Sequence, residues 1–111
     1  MAFNRTEQFV LAMLAVGILQ AGYNEGHISK SQYERYAEEA CAKLGTSINI
    51  TLSGLEVNPF LTIRQMDSRK KIFVKSFLFE VLQKVPDCET ATYYVVSTCL
   101  LYTSPSPRDR G

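Results

Sequence analysis

The sequence predicts a mainly α fold, a small bundle of three or four helices, and three observations predict it. Apolar residues recur with a helical period over much of the chain, one helix start carries a complete capping box, and glycine or proline stands where the helices should stop. At 111 residues the chain has the size of one domain, and an apolar content of 46% suits a packed core and is too high for a disordered chain.

The first helix is expected to start near Asn4 or Thr6, with Thr6 a suitable N-cap, and to end by Gly22, where Asn24 and Gly26 reinforce the stop. Its segment Phe9 to Leu19 is an unbroken apolar run, shorter than the roughly 20 residues a bilayer span requires. A run of this length also suits the core of a signal peptide, although the segment before it sets Arg5 against Glu7 and so has a weak positive end. The sequence Leu19-Gln20-Ala21-Gly22 resembles the start of a lipoprotein cleavage box, with Tyr23 where the lipidated cysteine belongs. A central helix buried on all sides is the favoured reading, and a cleaved signal sequence the alternative. Ala12, Ala15 and Gly17 are small enough to let a second helix come close.

The second helix is the best marked. Ser29 is placed as N-cap with Gln32 at the third helical position, and Ile28 and Tyr33 fall where a hydrophobic staple belongs. Tyr33, Tyr36, Ala37, Ala40, Cys41 and Leu44 share one face, charged residues take the other, and Gly45 ends the helix. The stretch Gly26-His27-Ile28-Ser29-Lys30-Ser31-Gln32-Tyr33 resembles the Gly-x-Ile-Ser/Thr-x-x-Glu/Gln-Tyr/Phe turn of short bacterial helical-hairpin modules. The resemblance covers about Leu19 to Leu44 and implies a helical hairpin there.

From Thr46 to Val57 the period changes to two, as in a short β-hairpin at about 47–57 or an extended connection. Asn58-Pro59 can open a helical turn. A third helix is expected from about Thr62 to Val85, closed by Pro86. Met66, Phe73, Val74, Phe77, Leu78, Val81 and Val85 form its broad apolar stripe, while Ile72 and Phe79 lie nearly opposite and define a second apolar face. Asp87 can cap a fourth helix, although Thr92 to Val96 favours strand by propensity.

The residues Cys99 to Asp109 resemble a translated sequencing adapter, reproducing one reading frame of the mosaic end and primer site used in tagmentation libraries. The resemblance implies that 1–98 is the natural helical domain and 99–111 a non-native tail, that the native C-terminus is missing, and that the source is a metagenomic, microbial sample. Cys99 to Tyr102 are apolar enough to prolong a helix whatever their origin, and Ser104 to Gly111 should be exposed.

The chain has 12 Lys+Arg and 11 Asp+Glu; without Arg108, Arg110 and Asp109 the numbers are equal. That balance disfavours nucleic acid as a partner, since phosphate binding normally requires surplus positive charge. Cys41 and Cys88 have no paired spacing of the kind a zinc site shows, so two buried thiols in a cytoplasmic protein are expected. A Cys41–Cys88 disulfide belongs to the alternative, a secreted or envelope protein. His27 with Cys41 or Cys88 offers a nucleophile–base pair in principle, yet its place in a polar turn reads first as a solvated loop residue. A calcium loop over Ala21 to Gln32 fails on its ligands, because Ala21, Tyr23 and Gln32 stand where carboxylates are required. Asn4-Arg5-Thr6 and Asn49-Ile50-Thr51 match the glycosylation triplet, which acts only in a eukaryotic secretory pathway.

With no catalytic or cofactor motif in the sequence, the expectation is a non-enzymatic protein-binding module without cofactor or metal, acting on a protein partner or by self-association. Regulator, assembly factor and inhibitor, each microbial or carried by a mobile element, all fit. Arg64, Lys71, Ile72, Lys75 and Phe79 are the candidate contact residues, with Arg69 and Lys70 nearby. Glu34, Glu38 and Glu39 of the second helix are expected to answer part of this positive charge.

Overall fold

A computed structural model describes residues 2–46 and 58–103 as five helices: α1 (Arg5–Asn24), α2 (Lys30–Lys43), α3 (Pro59–Arg64), α4 (Ser68–Leu82) and α5 (Glu89–Thr103). The fold is mainly α, as expected, with one helix more than the upper expectation. The expected hairpin at 47–57 and the expected exposure of Ser104 to Gly111 lie outside the described residues.

α1 is the centre of the bundle and packs against each of the other four helices. Phe9, Val10, Leu11, Leu14, Ile18 and Leu19 are buried, so the apolar run that resembled a signal sequence is the core's main component. Among the described residues no helix is long and apolar enough to cross a membrane.

The cap of α1 is Asn4, not Thr6. The Asn4 side chain accepts from the Glu7 backbone N–H at 2.8 Å, and the Glu7 carboxylate accepts from the Asn4 backbone N–H at 2.9 Å. This reciprocal box satisfies two donors, which Thr6 would do only by giving up the first helical turn. The same Glu7 carboxylate accepts from Lys70 Nζ at 2.9 and 3.2 Å, which ties α1 to α4. Lys70 also lies over the Phe3 ring, and Phe3 packs on Phe73 with centroids 5.1 Å apart.

Gly22 does not end α1. It is buried inside the helix, where a Cβ would lie 2.3 Å from Val85 Cγ1, and its role is close approach. The helix ends two residues later in a Schellman motif. Gly26, at φ 83°, donates its N–H to the Tyr23 carbonyl at 3.1 Å, and His27 donates to the Gly22 carbonyl at 2.9 Å. α2 repeats the device, with Gly45 at φ 77° and the Thr46 N–H donating to the Cys41 carbonyl at 3.1 Å. Its Ser29–Gln32 capping box forms as expected.

The expected third helix is two helices. Asp67 leaves the helical region at φ −73° and ψ 174°, and its carboxylate accepts from the Lys70 backbone N–H at 2.9 Å. A short acidic side chain gains more as an N-cap than inside a helix, so α3 stops at Arg64 and α4 starts afresh at Ser68. Val74, Phe77, Leu78, Val81 and Leu82 form the buried side of α4. α5 is helical throughout the strand-favouring run, because Ala91, Val95 and Thr98 recur at helical spacing on the side facing the core. It starts after Cys88, whose carbonyl accepts the Thr92 N–H at 3.0 Å, so Asp87 is not its cap. α5 continues across the 98/99 boundary to Thr103, and Cys99 is buried.

Candidate functional site

Two places in the fold gather residues with chemistry, and the first is the outer side of α4. Ile72 is 69% exposed there, beside Lys71 and Lys75. The break at Asp67 puts Arg64 on α3, so the five candidate contact residues do not lie along one helix. Phe79 is half-buried and packs against the core, leaving Ile72 as the apolar residue this face presents in full. Lys70 turns inward to Glu7. Among the described residues no ion pair engages Arg64, Lys71 or Lys75. The ion pair between α2 and α4 joins Lys43 to Glu80, the reverse of the expected polarity, and Glu34, Glu38 and Glu39 are exposed.

Between α2 and α4 runs a cleft of about 280 Å³ with Leu19 of α1 at its floor. Tyr36, Ala40, Phe77 and Val81 line its walls, and the Lys43–Glu80 pair lies at its rim. Lys84 sits over the Tyr36 ring, 5.0 Å from its centroid.

The second place lies where the end of α1 meets the start of α5. The Schellman turn holds Glu25 and His27 two residues apart, and α5 brings Cys88 to them across 63 residues of sequence. The Cys88 thiol donates to Glu25 Oε1 at 3.5 Å, and His27 Nε2 is 3.8 Å from the same oxygen. The Thr90 hydroxyl donates to Glu25 Oε2. The Thr90 hydrogen bond is the main cause that holds the Glu25 carboxyl below its usual pKa; the Cys88 hydrogen bond and the His27 charge act the same way, and desolvation opposes them.

Cys88 is buried, while Glu25 and His27 are exposed. Both Cys88 and His27 make their contact with Glu25, and a cysteine–histidine hydrogen bond of the nucleophile–base kind is not among those of the described residues; His27 is exposed in its turn, as its place in a polar turn suggests. Cys41 and Cys88 are buried free thiols in this structure, not joined to each other. Burial pushes the Cys41 thiol pKa up, as suits a core residue of α2.

Glu25 and Thr90 carry no signal in the sequence, which pairs His27 with Cys41 or Cys88 alike and does not show that Cys88 is the one beside it. An x-spaced Glu25/His27 pair and a cysteine 61 residues beyond His27 form no recognisable linear pattern. The available signal was Gly26, whose left-handed backbone folds its two neighbours back over the end of α1. No family model, curated protein or solved structure matches the chain.

Proposed function

We propose that this chain is a non-enzymatic protein-binding module that engages an acidic protein segment through the outer face of α4. The observation that carries this reading is Ile72, a large aliphatic side chain 69% exposed and flanked by Lys71 and Lys75. An apolar centre rimmed by cations suits a partner with an apolar anchor and flanking carboxylates. Arg64 on α3 extends the positive rim, and Phe79 supports the face from its half-buried position. A regulator, assembly factor or inhibitor of microbial or mobile-element origin would act in this way, and free thiols at Cys41 and Cys88 suit a cytoplasmic setting.

The test is site-specific photocrosslinking in a microbial host. A crosslinker at Ile72 should give one dominant adduct, to a second copy of the chain or to an acidic protein, that a crosslinker at the exposed Glu38 does not give. Lys71→Glu with Lys75→Glu should reduce that adduct by about tenfold, in line with charge-pair losses at interfaces. Equal adducts from positions 72 and 38 would overturn the reading.

A further inference from the structure

We propose that Glu25, His27 and Cys88 form a mononuclear zinc(II) site that clamps the end of α1 to the start of α5. One ligand atom from each of the three residues lies within 4.8 Å of the other two. Thiolate, imidazole and carboxylate are the three donor types zinc accepts in proteins. With metal–ligand bonds of about 2.0–2.3 Å, tetrahedral geometry sets neighbouring ligand atoms about 3.3–3.5 Å apart. The separations from Glu25 Oε1 are 3.5 Å to Cys88 Sγ and 3.8 Å to His27 Nε2, close to that spacing, while the cysteine and histidine donors, within 4.8 Å of each other, draw together on the ion.

The surroundings have the further parts such a site requires. Thr90 holds the second oxygen of Glu25, the kind of outer contact that orients a ligating carboxylate. Cys88 stands at the N-terminus of α5, and its backbone carbonyl accepts the Thr92 N–H, so the first turn of that helix fixes where the sulfur lies. The Schellman bond from His27 to Gly22 fixes the turn that carries the other two ligands. Glu25 and His27 lie on the solvent side and Cys88 on the core side, so an ion enters from water and keeps a fourth position for a water molecule. On binding, the Cys88 thiol releases its proton to solvent and the sulfur donates to the metal; no electron is transferred.

This site stands apart from the α4 face and does not depend on the protein-binding reading. The test is titration of the reduced, chelator-treated full chain with cobalt(II), a spectroscopic stand-in for zinc. One equivalent should produce a thiolate-to-cobalt charge-transfer band that zinc(II) abolishes. Cys41→Ser with Cys99→Ser should keep the band, Cys88→Ser should lose it, and the exposed substitution His27→Ala should weaken affinity about tenfold or more. Zinc should also raise the thermal midpoint of the parent and not that of His27→Ala. Absence of the band, or a band and affinity unchanged in His27→Ala, would overturn the proposal even if Cys88→Ser fails to fold.

Discussion

Gly22→Ala probes the close approach of α1 to Val85, in the connection after α4. In an unconstrained helix the substitution would stabilise the protein by about 1 kcal/mol, because alanine has the better helical propensity. Here the new Cβ meets Val85 Cγ1 at 2.3 Å and Val85 Cβ at 2.9 Å, both closer than real carbon contacts allow. Val85 is buried at 1% exposure among the core residues, and its β-branched side chain has few rotamers to turn to. Overpacking costs about 1–3 kcal/mol, and a contact this short belongs to the upper part of that range, about 2–3, so after the helix-propensity gain the net loss is on the order of 1–2 kcal/mol. For a chain of this size that lowers the thermal midpoint by roughly 5–15 °C, read by far-ultraviolet circular dichroism. Val85→Ala removes the 2.3 Å clash and leaves the 2.9 Å contact. In that background Gly22→Ala should cost under about 1 kcal/mol, which makes the coupling about 1 kcal/mol. A Gly22→Ala protein more stable than the parent, or an equal cost in both backgrounds, would refute the close-approach argument.

Glu7→Ala removes one half of the α1 capping box, the carboxylate that accepts from the Asn4 N–H, keeps the Asn4 side chain on the residue-7 N–H, and leaves Lys70 without its carboxylate. The lost hydrogen bond is worth about 1 kcal/mol. The stranded amine adds to this, giving a loss of roughly 2–3 kcal/mol in urea unfolding, since Glu7 is buried and Lys70 largely so. Glu7→Gln, which keeps the cap acceptor, should fall between parent and alanine variant. Cys41 contributes to the alkaline limb of the pH profile together with Tyr33 and Tyr94, all three raised by burial. A raised folded pKa means that its stabilising share is complete below the ordinary thiol value and is lost as pH rises through the folded value. Cys41→Ala should therefore flatten the alkaline limb of the stability curve, and an unaltered limb would contradict this assignment.

Much of the fold is legible from local signals. Ser29 with Gln32 and glycine at 45 act within a few residues, so the limits of α2 follow directly from the sequence. Asn4 with Glu7 is an equally local box, obscured by the competing hydroxyl of Thr6. The break at Asp67 is harder to see. The apolar stripe of α4 continues in phase with Met66, so periodicity runs through a carboxylate that ends one helix and begins another. Gly22 reads as a stop signal because its partner, Val85, is 63 residues away. The same separation hides the cluster at Glu25, His27 and Cys88, since tertiary packing alone brings α5 to the turn after α1. Of the outer α4 face, Ile72 and Lys75 are exposed as their helical positions suggest; Phe79 is not, because its aromatic ring reaches back to the core from the edge of the face.

The central position of α1 has a consequence for synthesis. It leaves the ribosome before any of the four helices that cover it, with Phe9, Leu11, Leu14 and Ile18 still without partners. α5 also packs on it, and of the five helices α5 is made last. Until α5 emerges the nascent chain therefore carries this apolar segment incompletely covered, a state open to aggregation and to chaperone capture. Cutting translation short before α5 should release a species that these holdases retain, whereas one more helical turn past Cys88 begins to let it go.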